Sequence, residues 1–329
     1  MSGNINWFNN KKIGFFSHYL AAPQGLYYTE DHVGTEEWNR RVEAFDVEML
    51  ASQLKEINAD YYAITIGQNS GYYCAPNAVY DEIVGISPSK CSKRDLIADL
   101  SKALERKGID LMVYLPSGAP NCDEEAAEKL EWKWGCEALP NDFNGKIRED
   151  RLAAFQRKWE KVIREWSKRW GSGVKGWWID GCYFAEQMYL FDDEPNFHSF
   201  AAALRSGNPD AVLAFNTGTN DPFEIPTEES DYTAGEVAEL LPLSVGGRTE
   251  IKDINERLHG KKMHILSYLG ETWGSGEARM PFELVAEYTR FINKKGGVVT
   301  WDIPLEYNGT LSANWVEYLK SMTEKLVRE

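Results

Sequence analysis

Polar side chains able to do chemistry stand directly after several short apolar runs of this sequence. The most distinctive is Asp180, which follows the apolar run Gly176–Ile179 and precedes Gly181. A carboxylate in this position is held rigidly, and the neighbouring glycine lets a ligand approach closely. The other polar residues in equivalent positions are His18, Gln68, Asn69, Ser117, Asn216, Glu236, Glu271 and Asp302. If the apolar runs are parallel strands, several carboxylates converge at one edge of the sheet.

Two carboxyl groups that face each other are sufficient for glycoside hydrolysis. One is ionised and attacks the anomeric carbon, while the other has a raised pKa, protonates the leaving oxygen and later activates water. The 12 Trp and 16 Tyr of the chain could stack on a sugar or simply build a large core. Asp180 could also cap the next helix, and Glu236 could be a solvated residue at a helix start. The pattern therefore indicates a glycoside hydrolase.

Other kinds of site find less support in the sequence. Only His18 among the five histidines follows an apolar run, so we expect no His-rich metal site. No combination of Ser, His and acid is apparent. The turn His18–Pro23 lacks the glycines of a nucleotide-binding loop. We therefore expect neither a metal nor a cofactor.

The candidate residues are positioned by segments of the sequence that alternate between strand-like and helical patterns. Strands are predicted at Lys12–His18, Tyr61–Ile66, Asp110–Leu115, Gly176–Ile179, Val212–Asn216, Asp231–Ala234, Lys262–Leu269 and Gly297–Asp302. Helices are predicted at Glu36–Ile57, Asp95–Lys107, Arg148–Trp170, Asn196–Ser206, Thr249–Leu258, Pro281–Lys294 and Ser312–Val327. Eight strands alternating with helices predict an α/β fold, a (β/α)8 TIM-like barrel, in a single domain over residues 1–329. An open, doubly wound sheet is the alternative.

Composition and charge narrow the expected partners. The 329 residues carry a formal net charge of −15, which repels nucleic-acid phosphates and anionic lipid. No apolar stretch is long enough to cross a bilayer. The odd number of cysteines, five, excludes a complete disulfide framework but leaves room for one or two bridges, and the lack of a CxxC motif argues against a structural zinc site. No signal-peptide pattern is visible, so we expect a cytoplasmic protein or one whose leader has been removed.

Several segments, taken in order, resemble the α-L-fucosidases of glycoside hydrolase family 29. The matching segments are Trp7–His18, Glu36–Trp38, Tyr61–Tyr73, Trp178–Gly181, Ser230–Glu236, Gly270–Gly274, Gly296–Pro304 and Asn308–Thr310. Trp178–Gly181 resembles the family's nucleophile motif, and Ser230–Glu236 resembles the segment whose glutamate is often the acid/base. The resemblance implies a barrel and a retaining, exo-acting glycosidase for an α-linked L-fucose or a related sugar.

The resemblance also assigns roles to individual residues. Asp180 is expected to be the nucleophile and Glu236 the general acid/base, with Glu271 as the alternative acid/base. The residues expected to bind the carbohydrate substrate are His18, Glu37, Gln68, Asn69, Trp178, Asn216, Glu271 and Trp273.

The sequence departs from the family's pattern at the sugar-binding positions. Gln68 and Asn69 replace the family's paired histidines, and Asn216 stands near the place of an expected arginine. Amides bind hydroxyl groups but carry no charge, so the sugar identity stays open. Two alternatives remain, a catalytically inactive carbohydrate-binding barrel and a barrel hydrolase for another glycan, such as an α-galactoside or a uronide. We expect no β-sandwich after the barrel.

Overall fold

A seven-stranded parallel sheet forms the centre of the protein in a computed structural model of the chain. The structure describes residues 3–23, 32–132, 151–183, 185–219, 221–245, 249–250 and 258–327. The strands are β1 (Ile13–Ser17), β2 (Tyr61–Thr65), β3 (Asp110–Pro116), β4 (Gly176–Asp180), β5 (Val212–Phe215), β6 (Ser244–Val245), β7 (Thr249–Glu250), β8 (His264–Tyr268) and β9 (Val298–Asp302). The sheet order is β5-β4-β3-β2-β1-β9-β8, and every pair is parallel. Seven of the eight predicted strands are thereby confirmed.

Helices connect the strands and cover the sheet. They are α1 (Asn6–Asn9), α2 (Thr35–Glu43), α3 (Val47–Glu56), α4 (Ala78–Val84), α5 (Leu96–Glu105), α6 (Glu124–Leu130), α7 (Ala153–Trp170), α8 (Ala185–Met188), α9 (Phe197–Leu204), α10 (Phe282–Lys294) and α11 (Ala313–Val327). Strands β1, β2, β5, β8 and β9 are buried throughout, as parallel strands covered on both faces must be. Because all seven strands of the sheet are parallel, their carboxyl ends meet at one edge of the sheet.

The predicted helix Glu36–Ile57 is wrong as a single element, because the chain breaks it into α2 and α3. The side chain of Asp46 accepts a hydrogen bond from the backbone N–H of Met49 and caps a new helix. The guanidinium of Arg94 donates to the carbonyls of Val42, Glu43 and Phe45, which α2 leaves open at its end. Local capping thus overrides a continuous apolar periodicity.

The predicted strand Asp231–Ala234 does not form a regular strand. Its segment makes only isolated bridges to the chain around β8, pairing Tyr232 with Lys262 and Glu236 with Leu266. Gly235 interrupts the extended backbone with a φ of +70°. The fold is therefore α/β and TIM-like, with a curled sheet of seven regular strands in place of the predicted eight.

The predicted helix Thr249–Leu258 lies mostly outside the described residues. Its first two residues are described, and they form β7, which pairs antiparallel with β6. The predicted helix Arg148–Trp170 is described from Arg151, and α7 begins at Ala153. The one-domain prediction and the expected lack of a β-sandwich remain predictions.

Much of the tryptophan content builds the core. Trp38, Trp159, Trp166, Trp177 and Trp301 are almost completely buried. Five of the 12 Trp side chains therefore help to build the core, which was one of the two roles that the sequence left open for them. Two others, Trp178 and Trp273, line the cavity described below.

Candidate active site

A cavity of about 130 Å³ opens at the carboxyl ends of the strands. It is lined by Phe16, His18, Gln68, Tyr114, Trp178, Asp180, Tyr183, Glu236, Leu266 and Trp273. Six of these residues were predicted site residues, namely His18, Gln68, Trp178, Asp180, Glu236 and Trp273. The structure therefore brings together both predicted catalytic carboxylates and four of the eight predicted binding residues in one cavity.

Asp180 ends β4 and accepts hydrogen bonds at both carboxylate oxygens. The Tyr114 hydroxyl donates to Oδ2 at 2.6 Å, and the Asn216 amide donates to Oδ1 at 2.8 Å. The backbone N–H of Gly181 also donates to Oδ1 at 2.8 Å, and the Tyr183 hydroxyl lies 3.3 Å from the same oxygen. These four donors hold the Asp180 carboxylate in one orientation.

Asn216 joins the two predicted catalytic residues. Its Nδ2 atom donates to Asp180 Oδ1 at 2.8 Å and to Glu236 Oε2 at 2.5 Å. The two bridged oxygens are consequently no further apart than the sum of these distances. Asn216 follows β5, is 1% exposed, and its Oδ1 accepts from the backbone N–H of Gly218. The contacts of Nδ2 and of Oδ1 together therefore fix the orientation of the Asn216 amide.

Glu236 has an environment that favours its protonated form. Burial, followed by the nearby charge of Asp180, raises the pKa of Glu236 to about 7, although the Asn216 hydrogen bond acts in the opposite direction. The segment carrying Glu236 is held by the Trp178 indole N–H, which donates to the Ala234 carbonyl at 2.8 Å. One carboxyl group with a raised pKa beside a second one is the arrangement that separates acid and nucleophile roles.

His18 forms the opposite wall of the cavity. Its Nδ1 lies 3.1 Å from Oδ1 of Asp302, which is completely buried. The backbone N–H of Gly274 donates to the other oxygen of Asp302. The imidazole contacts the Trp273 ring edge-on, with centroids 5.9 Å apart. Asp302, omitted from the predicted site, therefore orients a cavity side chain.

The amide pair after β2 occupies the side of the cavity. Gln68 Nε2 donates to the Tyr114 hydroxyl at 2.7 Å, which links Gln68 to Asp180 through Tyr114. The side chains of Gln68 and Asn69 are 9% and 6% exposed. Asn69 lies next to the cavity, in a smaller depression that shares the walls Gln68, Tyr114, Asp180 and Tyr183 with it.

Four predicted residues are not among the described residues that line the cavity, namely Glu37, Asn69, Asn216 and Glu271. Asn69 and Asn216 adjoin it as described above. Glu37, on α2, forms ion pairs with Arg40 and Arg41. Glu271 is exposed, and its Cβ and Cγ lie over Gly276. Neither side chain is among the described residues that line the cavity with the two carboxylates.

Sequence reasoning missed Phe16, Tyr114, Tyr183 and Leu266. The pairing of neighbouring strands could have indicated one of them, Tyr114. This residue on β3 pairs directly with Trp178 on β4, and the centroids of their stacked rings are 5.5 Å apart. Side chains alternate between the two faces of a strand, so Tyr114 points to the same side as Trp178. Tyr183 and its loop gave no comparable signal.

The described part of the chain offers neither a cluster of metal ligands nor a helix that could cross a membrane. No group of three or more His, Cys, Asp or Glu side chains there lies close enough together to hold a metal ion. Among the same residues, no helix has the length and apolar character needed to cross a membrane. Among the described cysteines, Cys74, Cys91 and Cys182 are buried free thiols.

Comparison with known proteins shows a similarity of fold. No protein-family profile and no curated protein matches the chain. Among solved structures, an endo-fucoidan hydrolase of glycoside hydrolase family 107, P5AFcnA, matches with a TM-score of 0.69 and 16% identity, over 98% of this chain and 93% of that one. A second one, MfFcnA4, matches with a TM-score of 0.68 and 17% identity, over 97% of this chain and 53% of that one. The chain thus spans about half the length of MfFcnA4.

The family 29 resemblance is confirmed at the level of the fold. A family 29 α-L-fucosidase from Bacteroides thetaiotaomicron matches with a TM-score of 0.64 and 15% identity, over 98% of this chain and 73% of that one. At sequence identities this low, the TM-scores show a shared architecture and nothing more. The chemistry of this chain has to be argued from its own residues.

Proposed function

We propose that the protein is a retaining glycoside hydrolase with Asp180 as nucleophile and Glu236 as general acid/base. The observation that carries the proposal is the single amide nitrogen of Asn216, which is hydrogen-bonded to both carboxyl groups. The bridged oxygens are no further apart than the sum of these two bonds, 2.8 Å and 2.5 Å, which supports the close spacing of about 5–5.5 Å that accompanies a double displacement. Inverting enzymes need about 6.5–9.5 Å between their carboxyl groups.

The hydrogen bonds of the site support distinct roles for the two carboxyl groups. Glu236 Oε2 accepts from Asn216, so the proton of the neutral acid resides on Oε1. In the first step, an Asp180 oxygen forms a bond to the anomeric carbon, the glycosidic C–O bond breaks, and Glu236 gives its proton to the leaving oxygen. In the second step, Glu236 takes a proton from water, which attacks the same carbon and releases Asp180.

The walls of the cavity support a deoxy sugar as substrate. Phe16, Trp178 and Leu266 are buried apolar residues that line it together with the two carboxyl groups. An apolar wall favours a methyl group over a hydroxymethyl group, because burying an unpaired hydroxyl is unfavourable. This agrees with an α-linked L-fucose or a related sugar, and the small cavity favours a single terminal unit, as an exo-acting enzyme requires.

Chemical rescue of Asp180→Ala tests the proposal. We expect hydrolysis of an aryl α-L-fucoside to fall by about 10³-fold or more, since the covalent step is removed. Added azide should restore turnover and give the β-glycosyl azide, because azide enters from the face that Asp180 occupied. Glu271→Gln is the matched control and should keep activity. Undiminished activity of Asp180→Ala would disprove the nucleophile assignment.

A second candidate is a carbohydrate-binding protein without catalytic activity. The amides Gln68 and Asn69 favour it, since they replace the charged groups that the resembling family uses to bind hydroxyls. Calorimetric titration with a sugar panel, beside hydrolysis assays on the same sugars, separates the two. Binding without turnover across the panel would establish this candidate.

A further inference from the structure

The buried imidazole of His264 takes part in no step of the proposed reaction and is not among the described residues that line the cavity. It lies on β8, and its Nδ1 is 3.1 Å from the Thr233 carbonyl oxygen and 3.0 Å from the Ala234 carbonyl oxygen. Both partners are acceptors, so Nδ1 carries a proton and donates to them. His264 therefore binds the backbone two residues before Glu236.

Two hydroxyl groups bind the other nitrogen of this imidazole. Thr300 Oγ1 lies 2.6 Å from His264 Nε2, and the Tyr61 hydroxyl lies 2.5 Å from the same threonine oxygen. Burial lowers the pKa of His264 to about 4, so the imidazole is neutral at neutral pH. Its single proton is on Nδ1, so Nε2 accepts from Thr300, and Tyr61 in turn donates to Thr300. The hydrogen bonds therefore run in one direction, from Tyr61 to the Ala234 carbonyl.

The register of the strands brings these side chains together. Gly14 on β1 pairs with Tyr61 on one side and with Thr300 on the other. A Cβ at Gly14 would lie 2.2 Å from the Tyr61 ring, so the glycine leaves room for that ring to cross β1. Leu266 on β8 pairs with Thr300, and His264 lies two residues earlier, on the same face of β8. Four neighbouring strands therefore build this row of hydrogen bonds.

The Ala234 carbonyl is the point at which this row reaches the segment that carries Glu236. It also accepts from the Trp178 indole N–H at 2.8 Å, so side chains from β4 and β8 hold the same peptide group. The next residue, Gly235, has a φ of +70°, and its carbonyl accepts from the backbone N–H of Leu266 at 2.8 Å. Isolated bridges join this segment to its neighbours. The direction in which Glu236 leaves the backbone therefore depends on how firmly the Ala234 peptide is held.

We propose that His264 is a positioning residue for the general acid, and that it holds the Ala234 peptide so that the Glu236 carboxyl group reaches the leaving oxygen. The proposal rests on the function proposed above and adds a residue that does not touch the substrate. A misplacement of about 1 Å can lower a rate by about 10²-fold. Asp180 is held by its own donors, among them Tyr114. Loss of the His264 contact should therefore affect proton transfer and leave the attack by Asp180 intact.

A matched pair of variants at His264 tests this role. In His264→Asn the amide nitrogen takes the place of Nδ1 and still donates to the carbonyls, whereas in His264→Gln the amide lies near the place of Nε2 and no longer does. The substrates are dinitrophenyl, nitrophenyl and phenyl α-L-fucosides, whose leaving groups need a proton to an increasing degree. In His264→Gln, we expect kcat/KM to fall by about tenfold for the phenyl substrate, the effect of one lost hydrogen bond, and to stay near the wild-type value for the dinitrophenyl substrate. His264→Asn should keep the wild-type dependence on the leaving group.

Thr289→Val is the control for a loss of stability alone. The buried Trp301 indole N–H donates to Thr289 Oγ1 at 3.0 Å, so this variant should lower the free energy of unfolding and leave the dependence on the leaving group unchanged. If His264→Gln does not fold, Thr300→Val replaces it, because it removes the donor to Nε2, and it should show the same selective loss to a smaller degree. Equal losses for all three substrates in the variant used, or a selective loss in His264→Asn, would overturn the proposal.

Amide hydrogen exchange, which needs no substrate, separates failure of this inference from failure of the proposed function. The backbone N–H of Val237 donates to the Leu266 carbonyl at 2.9 Å, directly after Glu236. Relative to the amides of β2, we expect this N–H to exchange about tenfold faster in His264→Gln and at the wild-type rate in His264→Asn. If the wild type hydrolyses no substrate but this difference appears, the catalytic proposal fails and the contact of His264 with the Glu236 segment stands. If the wild type is active and the two variants exchange alike, the inference is overturned and the proposed function stands.

Discussion

The hydroxyl oxygen of Tyr114 lies 2.6 Å from Oδ2 of Asp180, and the tyrosine is the donor. Burial first, and then the charge of Asp180, raises the pKa of Tyr114 well above its ordinary value, so the phenol keeps its proton. Gln68 donates to the same hydroxyl oxygen and completes a line of three side chains. A pocket side chain that the sequence did not single out therefore holds the proposed nucleophile.

The first prediction follows from this contact. Tyr114→Phe should lower kcat for an aryl α-L-fucoside by about tenfold or more, because a hydrogen bond to a charged group is worth about 1.5–3 kcal/mol. The ring of phenylalanine keeps the packing against Trp178, so KM should change little. Steady-state kinetics measure both constants.

Tyr288→Phe is the control, since the Tyr288 hydroxyl donates to the Pro242 carbonyl at 3.0 Å and is not among the residues that line the cavity. It should keep wild-type kcat. Equal loss of kcat in the two variants would show that Tyr114 acts through general stability.

The second prediction concerns the dependence of activity on pH. The pKa of Glu236 is raised to about 7, and the first step requires its protonated form. The value of kcat/KM should therefore fall as the pH rises above about 7. In Glu236→Gln this basic limb should disappear, and the remaining activity should be greatest on substrates with good leaving groups, which need no proton.

Glu271→Gln supplies the comparison for this profile. Glu271 is exposed and should have no influence on the basic limb. If the limb disappears in Glu271→Gln and persists in Glu236→Gln, the acid/base role belongs to Glu271.

The third prediction concerns the backbone that presents Glu236. Gly235 has a φ of +70°, and a Cβ there would lie 2.0 Å from the His264 carbonyl oxygen. Gly235→Ala should lower the free energy of unfolding and also reduce kcat, because the segment must shift to relieve the clash. Gly260→Ala is a matched control, because its φ is +85° and, among the described residues other than its chain neighbours, no atom lies within 4 Å of an added Cβ.

The two alanine variants separate backbone strain from steric clash. Both carry the cost of a left-handed residue, of order 1 kcal/mol. Only Gly235→Ala should lose further stability and activity. Urea unfolding and kinetics on both proteins provide the measurement, and identical losses would refute the clash.

The fourth prediction concerns stability in acid. Burial lowers the pKa of His264 to about 4, despite opposing hydrogen bonds from Nδ1 to the carbonyls of Thr233 and Ala234. The unfolded state binds the proton already below about pH 6.5. The stability that depends on neutral His264 is therefore present above pH 6.5 and is lost as the pH falls toward 4, by up to about 3 kcal/mol.

Urea unfolding of the wild type and of His264→Asn at pH 7 and pH 5 tests whether His264 causes this loss of stability in acid. The variant should be less stable at pH 7 and should lose less stability on acidification. Tyr307→Phe, at an exposed side chain without a group that titrates between pH 5 and pH 7, should retain the wild-type pH dependence. A variant that keeps the full acid sensitivity would contradict the assignment to His264.

Local patterns predicted what depends on neighbours along the chain. An apolar run followed by Asp180 and Gly181 determines a buried strand with a carboxylate at its end, and seven such runs determine the sheet. The same reasoning failed at Asp231–Ala234, because Gly235 and a hydroxyl contact from Thr233 to the His264 backbone replace a regular ladder. It also failed at α2 and α3, where Arg94, distant in sequence, closes the end of α2.

Only the tertiary structure decided which polar residues meet. Asn216 bridges Asp180 and Glu236, whereas Glu37 pairs with Arg41 and Glu271 faces solvent. Asp180, Asn216, Glu236 and Glu271 looked equivalent in the sequence, since each was placed after a predicted strand, whereas Glu37 was placed at the start of the predicted helix Glu36–Ile57. Side-chain direction beyond a strand end depends on loop conformation and on partners far away in the chain. The raised pKa of Glu236 likewise results from burial by several segments together, which no single segment specifies.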